Sequence, residues 1–274
     1  MYIFAKNHII TLTIMKRTTL IASLLVLISF SLISCEADSI DPVYYINNNN
    51  NPGPVNNNPP GGDDDDDDDP VASQGNYWPM AINNEWDYVY TGDFEEDPAP
   101  MKIIGTEVIG GVTYYKINHY FQESGTDELT GEADIHLRKD GGTYYERVSV
   151  DIPAADGLPS ITVAPYELIV FKDNLEVGES WTQTVVQTTT YGMSGFPPVT
   201  LTLTYKGTIM QKDLTVTVEG ETYTDVIKEK FVQTVMGTDY TVYVWFAKNV
   251  GPIKSESIDE GLSYQTALTS YIIN

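Results

Sequence analysis

Side chains that alternate in character at every second residue limit this chain more than any other feature. In "VTLTLTY" Val199, Leu201, Leu203 and Tyr205 share one face against a row of threonines; in "EWDYVYT" Trp86, Tyr88 and Tyr90 do so, and in "EADIHLR" Ala133, Ile135 and Leu137. A period of two is that of a strand with one buried face. Turn signals at Gly110-Gly111, Asp140-Gly141-Gly142, Glu219-Gly220, Gly237, Asn249 to Gly251 and Glu260-Gly261 cut the chain into runs of strand length. The prediction is an all-β antiparallel meander.

One segment has a helical rival. In "YTDVIKEKFVQTV" Tyr223, Val226, Ile227, Phe231, Thr234 and Val235 also fit a 3.6 period, but β-branched residues suit a pleated surface and Gly237 ends the run, so a strand is predicted. A short pattern occurs twice. "INNEWD" at 82–87 and "VGESWT" at 177–182 each place an apolar residue, an Asn or Gly tolerant of the left-handed region, two polar residues and then Trp; each is expected to turn into a strand whose first inward residue is that Trp.

The β-rich composition begins at Tyr77. Residues 77–274 hold sixteen of the nineteen tyrosines and all four tryptophans, enough for one domain with a sizeable core. Residues 35–76, with "INNNNNPGPVNNNPPGGDDDDDDD", offer almost nothing to bury and carry ten acidic residues with no Lys or Arg; a disordered, self-repelling tether is expected, about 130 Å long when extended. Residues 1–34 read as a leader. Lys16 and Arg17 precede the apolar "TLIASLLVLISFSLIS", which has signal-peptide length and is short for a membrane span; Met15 in "MKRTTL" reads as a more natural start than Met1.

That leader ends at Cys35, the only cysteine in 274 residues. Leu32, Ile33, Ser34 and Cys35 resemble the lipobox of bacterial lipoproteins, in which the cysteine sulfur is acylated and the peptide is cut before it. The resemblance implies a palmitate-bearing outer-membrane lipoprotein, held by several acyl chains and facing either the periplasm or the cell surface. A plain secretory signal followed by a chance cysteine is the alternative.

"YWPMAINNEWDYVY", 77–90, and "YVWFAKNVGPIKSE", 243–256, resemble the opening and closing signatures of the TapB-like family of secreted bacterial proteins. In that family an aromatic-Pro opening leads to a Trp-bearing first strand and a "YWFAKGVGLVK"-like hairpin closes the domain; here Asn249 replaces the usual Gly and Pro252 an apolar residue. The likeness covers the two ends and hardly the middle. It implies a strongly curved, mostly antiparallel single sheet or open barrel similar to periplasmic lipoprotein carriers, and no known chemistry; a two-layer β-sandwich is the alternative architecture.

Function is less legible. The domain has 29 acidic against 12 basic residues, so nucleic acid and anionic head groups are poor partners. No nucleophile-elbow, P-loop, dinucleotide or H-E-x-x-H pattern occurs, and "GMSGF" at 192–196 lacks the elbow spacing. No catalytic, cofactor or metal site is therefore assigned. His119 is expected in the core beside Tyr115, Ile117 and Phe121, and His136 at the surface with Glu132, Asp134 and Arg138. The acidic run Asp93, Glu95, Glu96, Asp97 reads as an exposed loop. "YTVYVWFA" is apolar on both faces, which fits a strand with one side in the core and one lining a cavity, or the central strand of a sandwich. Candidate cavity residues are Trp86, Tyr88, Tyr115, Trp245 and Phe246. The expected function is non-enzymatic binding of an apolar or envelope-derived ligand; the alternatives are a glycan-binding or other surface interaction protein, and a hydrolase with unrecognised carboxylates.

Overall fold

A computed structural model describes residues 72–92, 100–118, 132–154, 159–257 and 264–274. Cys35, residues 36–71 of the expected tether, His119, the acidic run at 93–97 and the Glu260-Gly261 turn lie outside these residues; the last part of the expected tether, 72–76, is described, and there Ser73 and Gln74 bond to Asp173. The strands are β1 (Glu85–Gly92), β2 (Met101–Ile109), β3 (Val112–Ile117), β4 (Glu132–Asp140), β5 (Thr143–Ile152), β6 (Ile161–Lys172), β7 (Ser180–Tyr191), β8 (Val199–Val218), β9 (Glu221–Val235), β10 (Thr238–Ala247), β11 (Gly251–Ser257) and β12 (Tyr264–Ile272). Each pairs antiparallel with its neighbours in the chain. β1 also pairs with β12, so the expected meander goes one step beyond an open barrel and closes, and no sandwich forms. The segment with the helical rival is strand β9.

One seam in the wall is short. β1 and β2 pair only at Glu85↔Lys102 and Trp86↔Met101, and the ladder is prolonged by Asn83 N donating to Ile103 O at 2.8 Å and Ile103 N to Asn84 O at 2.9 Å. The second Trp motif repeats this device half a barrel away. Gly178 N donates to Ile209 O at 2.8 Å and Ile209 N to Glu179 O at 3.0 Å, with φ of 89° at Gly178 matching 72° at Asn83. Each motif therefore opens a six-strand half with a left-handed residue, a link to the following strand and a buried Trp; the turn and the inward Trp are what the repeated pattern suggested.

A second seam is looser. β6 and β7 pair through their backbones only at Ile161–Val163 against Thr189–Tyr191. Lower down the Gln183 amide replaces the ladder, accepting from Ile169 N at 2.6 Å and donating to the Glu167 carbonyl at 3.3 Å, while Trp181 and Leu168 fill the gap. Side-chain bonds of this kind satisfy backbone groups that would otherwise be buried unpaired.

The end of the barrel where β10 meets β11 is sealed by an aromatic floor. Trp86, Tyr144 and Phe171 are wholly buried, Phe246 stacks on Phe171 at 4.1 Å, and the entering segment lays Tyr77 edge-on against Phe171. That segment is pinned by the buried Asp173, which accepts from Ser73 Oγ at 2.7 Å, Gln74 N at 3.1 Å and Tyr144 Oη at 3.2 Å. The β8–β9 hairpin overshoots the wall and bends at irregular pairings around Asp213 and Asp225, whose φ are 55° and 53°. It reaches β12, where Tyr223 meets Tyr271.

The β10–β11 turn carries φ of 62° at Asn249 and 120° at Gly251. Both positions are left-handed, as the turn chemistry required. A Cβ at Gly251 would also come within 3.1 Å of Trp86 Nε1. Gly251→Val is expected to cost about 1–2 kcal/mol and lower Tm, whereas Asn249→Gly should leave Tm near the wild-type value; a thermal melt of both checks this.

Candidate functional site

Strand register sorts the side chains by face. Tyr115, Leu137, Glu146 and Leu168 follow one another across β3 to β6, and Tyr205, Gln233 and Tyr240 across β8 to β10, all on the face that carries the floor residues. That inner face divides into two levels. Along the floor Ile103, Ile117, Leu137, Ile227, Ile253 and Leu268 are completely or almost completely buried. Above it Tyr88, Ile135, Val148, Phe231, Val242 and Val244 also point inward, yet each keeps part of its surface open. Elsewhere above the floor the same face is covered: Val150, Val163, Val185, Gln187, Leu203 and Val235 are buried, so the open surface belongs to one part of the interior.

A recess of about 200 Å³ is lined by Tyr88, Tyr90 and Tyr264 with Trp78, Lys254, Ser255 and Thr266. It is smaller than the roughly 300–1,000 Å³ usual for a complete ligand site. Of the residues singled out from the sequence, Tyr88 lines the recess, with its hydroxyl donating to Pro252 O at 2.8 Å. Trp86 and Phe246 lie in the floor, the former donating from Nε1 to Val250 O at 2.7 Å, and Tyr115 packs inward against the same cluster. Trp245 is on the other side of the wall. Its ring is covered by Lys228 and Lys254, 4.5 and 5.0 Å from the ring centre, so lysine stems rather than a cavity account for the second apolar face of β10.

Polar inward groups form the part of the site that sequence reasoning missed. Glu146 faces the lumen from β5 and makes no hydrogen bond or ion pair among the described residues. Burial pushes its carboxyl up to about 7. Beside it Gln233 Nε2 donates to the Tyr205 hydroxyl at 3.3 Å, and Tyr166 neighbours Tyr205. Tyr166 is pushed up to about 12, by burial first and then by the Glu146 charge, and Tyr205 is raised by burial, Tyr166 and Glu146. Glu229, on β9, is fully buried. It accepts from Trp181 Nε1 at 3.2 Å through Oε1, leaves Oε2 without a partner, and is raised well above the usual carboxylate range by burial.

The outer wall carries a separate polar cluster. Arg138 grips Glu167 through Nε at 2.9 Å and Nη2 at 2.7 Å, and Tyr114 Oη donates to the same carboxylate at 2.5 Å. Burial alone would raise Glu167, but the bonds from Arg138 and Tyr114 hold it below its ordinary range. His136 corrects the sequence expectation. It lies on the outer face with Arg138, as parity required, yet is only 2% exposed because the Tyr114 ring packs edge-on against it and Glu107 Oε2 meets its Nε2 at 3.0 Å. Tyrosine and arginine side chains laid flat on a sheet cover what would otherwise be surface. The "GMSGF" segment is an exposed turn. Among the described residues no three His, Cys, Asp or Glu side chains converge as a metal site would need.

The raised Glu229 carboxyl fixes the sign of a pH effect. Between its unfolded value and its higher folded value the native protein holds a proton that the unfolded chain has released, so its contribution to stability is full at low pH and falls as pH rises. Glu167, with a depressed value, acts in the opposite sense, so the two must be separated by substitution. Glu229→Gln is expected to gain stability relative to wild type as pH is raised from 5 to 8, measured by urea unfolding at each pH; a constant difference would contradict a buried neutral carboxyl.

The class defined by this geometry is a closed, all-antiparallel barrel of twelve strands among the described residues, sealed at one end by an aromatic floor. No protein-family model matches the chain, so its likeness to the TapB-like family remains one of two end segments, and no curated protein matches it. Among solved structures the chain is similar to one described as a "putative lipoprotein" from Parabacteroides distasonis, at 9% identity, covering 72% of this chain and 98% of that one with a TM-score of 0.36.

Proposed function

We propose that this protein is an envelope lipoprotein, anchored through Cys35, whose barrel binds an apolar or envelope-derived ligand in the open part of the interior above the floor. The observation that carries the ligand reading is the row of inward Val, Ile and Tyr side chains left partly open inside a wall sealed below. Burying such surface is favourable at about 25 cal/mol per Å², so an alkyl chain gains by entering. The anchor rests on the lipobox-like Leu32 to Cys35 and on the acidic tether, whose length would carry the barrel clear of a membrane. Mass spectrometry of the protein isolated from envelope extracts tests the ligand reading: a bound amphiphile supports it, and empty protein that takes up no lipid from extract overturns it. For the anchor, Cys35→Ala should abolish palmitate labelling and leave the leader uncleaved.

The recess favours a second reading. Tyr88, Tyr90 and Tyr264 with the hydroxyls of Ser255 and Thr266 suit a sugar ring, which stacks on aromatic faces while pairing its hydroxyls. Binding on a glycan array with no lipid uptake would select it.

A further inference from the structure

The polar groups of the lumen sit where an alkyl ligand alone has no use for them. Strand register sets the basic side chains of these strands on the outer face: Lys116 and Arg147 share it with His136, Lys206 lies opposite the inward Tyr205 and Gly207, and Lys228 and Lys230 share the face of Trp245 and Tyr243. Lys254 also borders the recess beside Tyr88, but it is already paired with Glu256 at 2.6 Å. Against that background Glu146 presents an unpaired carboxyl to the lumen. Its neighbours on the inner face are Leu137 of β4 and Leu168 of β6, its cross-strand partners, and the hydroxyls of Tyr166 and Tyr205 close enough to feel its charge. Gln233 Nε2 donates to the Tyr205 hydroxyl at 3.3 Å, which leaves the Tyr166 and Tyr205 hydroxyls as the polar groups beside the carboxyl. Glu146 is half-buried, and neither of its carboxylate oxygens has a hydrogen-bond partner among the described residues. A fold that has closed its wall and floor around such a group leaves its pairing to what enters the lumen.

We infer that Glu146, Tyr166, Tyr205 and Gln233 form a head-group site in the lumen that takes an amphiphile with a cationic or hydrogen-bond-donating head, an alkylamine being the simplest case, with its tail along the Val and Tyr wall. This rests on the ligand reading above and adds the chemistry of the head. An amine supplies both charge and donors to the carboxylate, whereas a fatty acid of the same length would bring a second negative charge against Glu146, and the lysine nearest the recess, Lys254, is already held by Glu256. Glu229, one level lower on β9 and held by Trp181, lies outside the group but adds no positive charge.

The test compares tetradecylamine with tetradecanoic acid, each below its micellar concentration, by calorimetric titration of the purified protein at pH 8. The amine should bind at least about tenfold more tightly, a difference of roughly 1.4 kcal/mol. Glu146→Gln should remove that preference while keeping the uptake of either chain and leaving Tm unchanged or higher, because a neutral amide needs no counter-charge. Tyr166→Phe should weaken the amine less than Glu146→Gln does. If both amphiphiles bind equally and Glu146→Gln changes neither, the head-group site is wrong and the apolar lumen stands; if neither binds the wild-type protein, the ligand reading itself fails.

Discussion

Replacing Trp86 by alanine is expected to remove about 3–5 kcal/mol of stability, the usual cost of deleting a large aromatic from a core. The position magnifies the effect. Trp86 is wholly buried, opens β1, pairs with Met101 at the two-residue seam between β1 and β2, and ties the floor to the β10–β11 turn through Val250 O. Its loss leaves a cavity in the floor and frees the shortest ladder in the wall. Against a typical total of about 5–15 kcal/mol, the variant should lose a third or more of its resistance to urea, whereas Trp245→Phe, outside the wall, should cost under about 1.5 kcal/mol. Equal costs for the two would contradict the assignment of faces.

Gly207→Val should be nearly as damaging for a different reason. A Cβ at this position would run into Glu229 Oε1 and the Trp181 indole at Nε1 and Cε2. Gly207 lies mid-strand, paired with Trp181 on one side and Phe231 on the other, so the backbone has nowhere to move. Overpacking of this kind costs about 1–3 kcal/mol, and displacing Trp181 also takes away the donor to a buried carboxyl, about 1–3 kcal/mol more. Chemical unfolding should register the sum. Gly105→Ala, whose Cβ meets open space, should stay within about 0.5 kcal/mol of wild type.

The alternation that announces the strands also announces their faces, and it does so wherever one face is polar. Val199 to Tyr205 and Trp86 to Tyr90 are of that kind, and the paired Trp motifs marked a turn and an inward Trp. Where both faces are apolar the period gives no direction. Trp245 and Phe246 are adjacent, so one of them had to point outward; what decides between them is Lys228 and Lys254, which reach Trp245 only because β9 and β11 flank it. His136 shows the converse error, a correct face with its cover unseen, since Tyr114 and Glu107 come from other strands. Barrel closure depended on pairing between the first and last strands, the longest-range contact in the fold, which no local pattern encodes. The polar groups of the lumen did leave a trace. Glu146 has the parity of Tyr144, Val148 and Val150, and Glu229 that of Ile227, Phe231 and Val235, so each is an acid set in an apolar row. Their grouping with Tyr166, Tyr205 and Gln233 requires the register of strands β5 to β9.

Ligand entry above the floor is tested most directly by intermolecular nuclear Overhauser effects between a bound alkyl chain and valine methyl groups labelled with carbon-13. Tetradecylamine is the probe. Cross-peaks from its methylene protons should appear at Val148, Val242 and Val244, which face the lumen, and be absent at Val108 and Val186, which are 68% and 59% exposed on the outside. Cross-peaks confined to Val108 and Val186, with the three inner valines silent, would show that the chain lies on the surface and that the interior of the barrel takes no ligand.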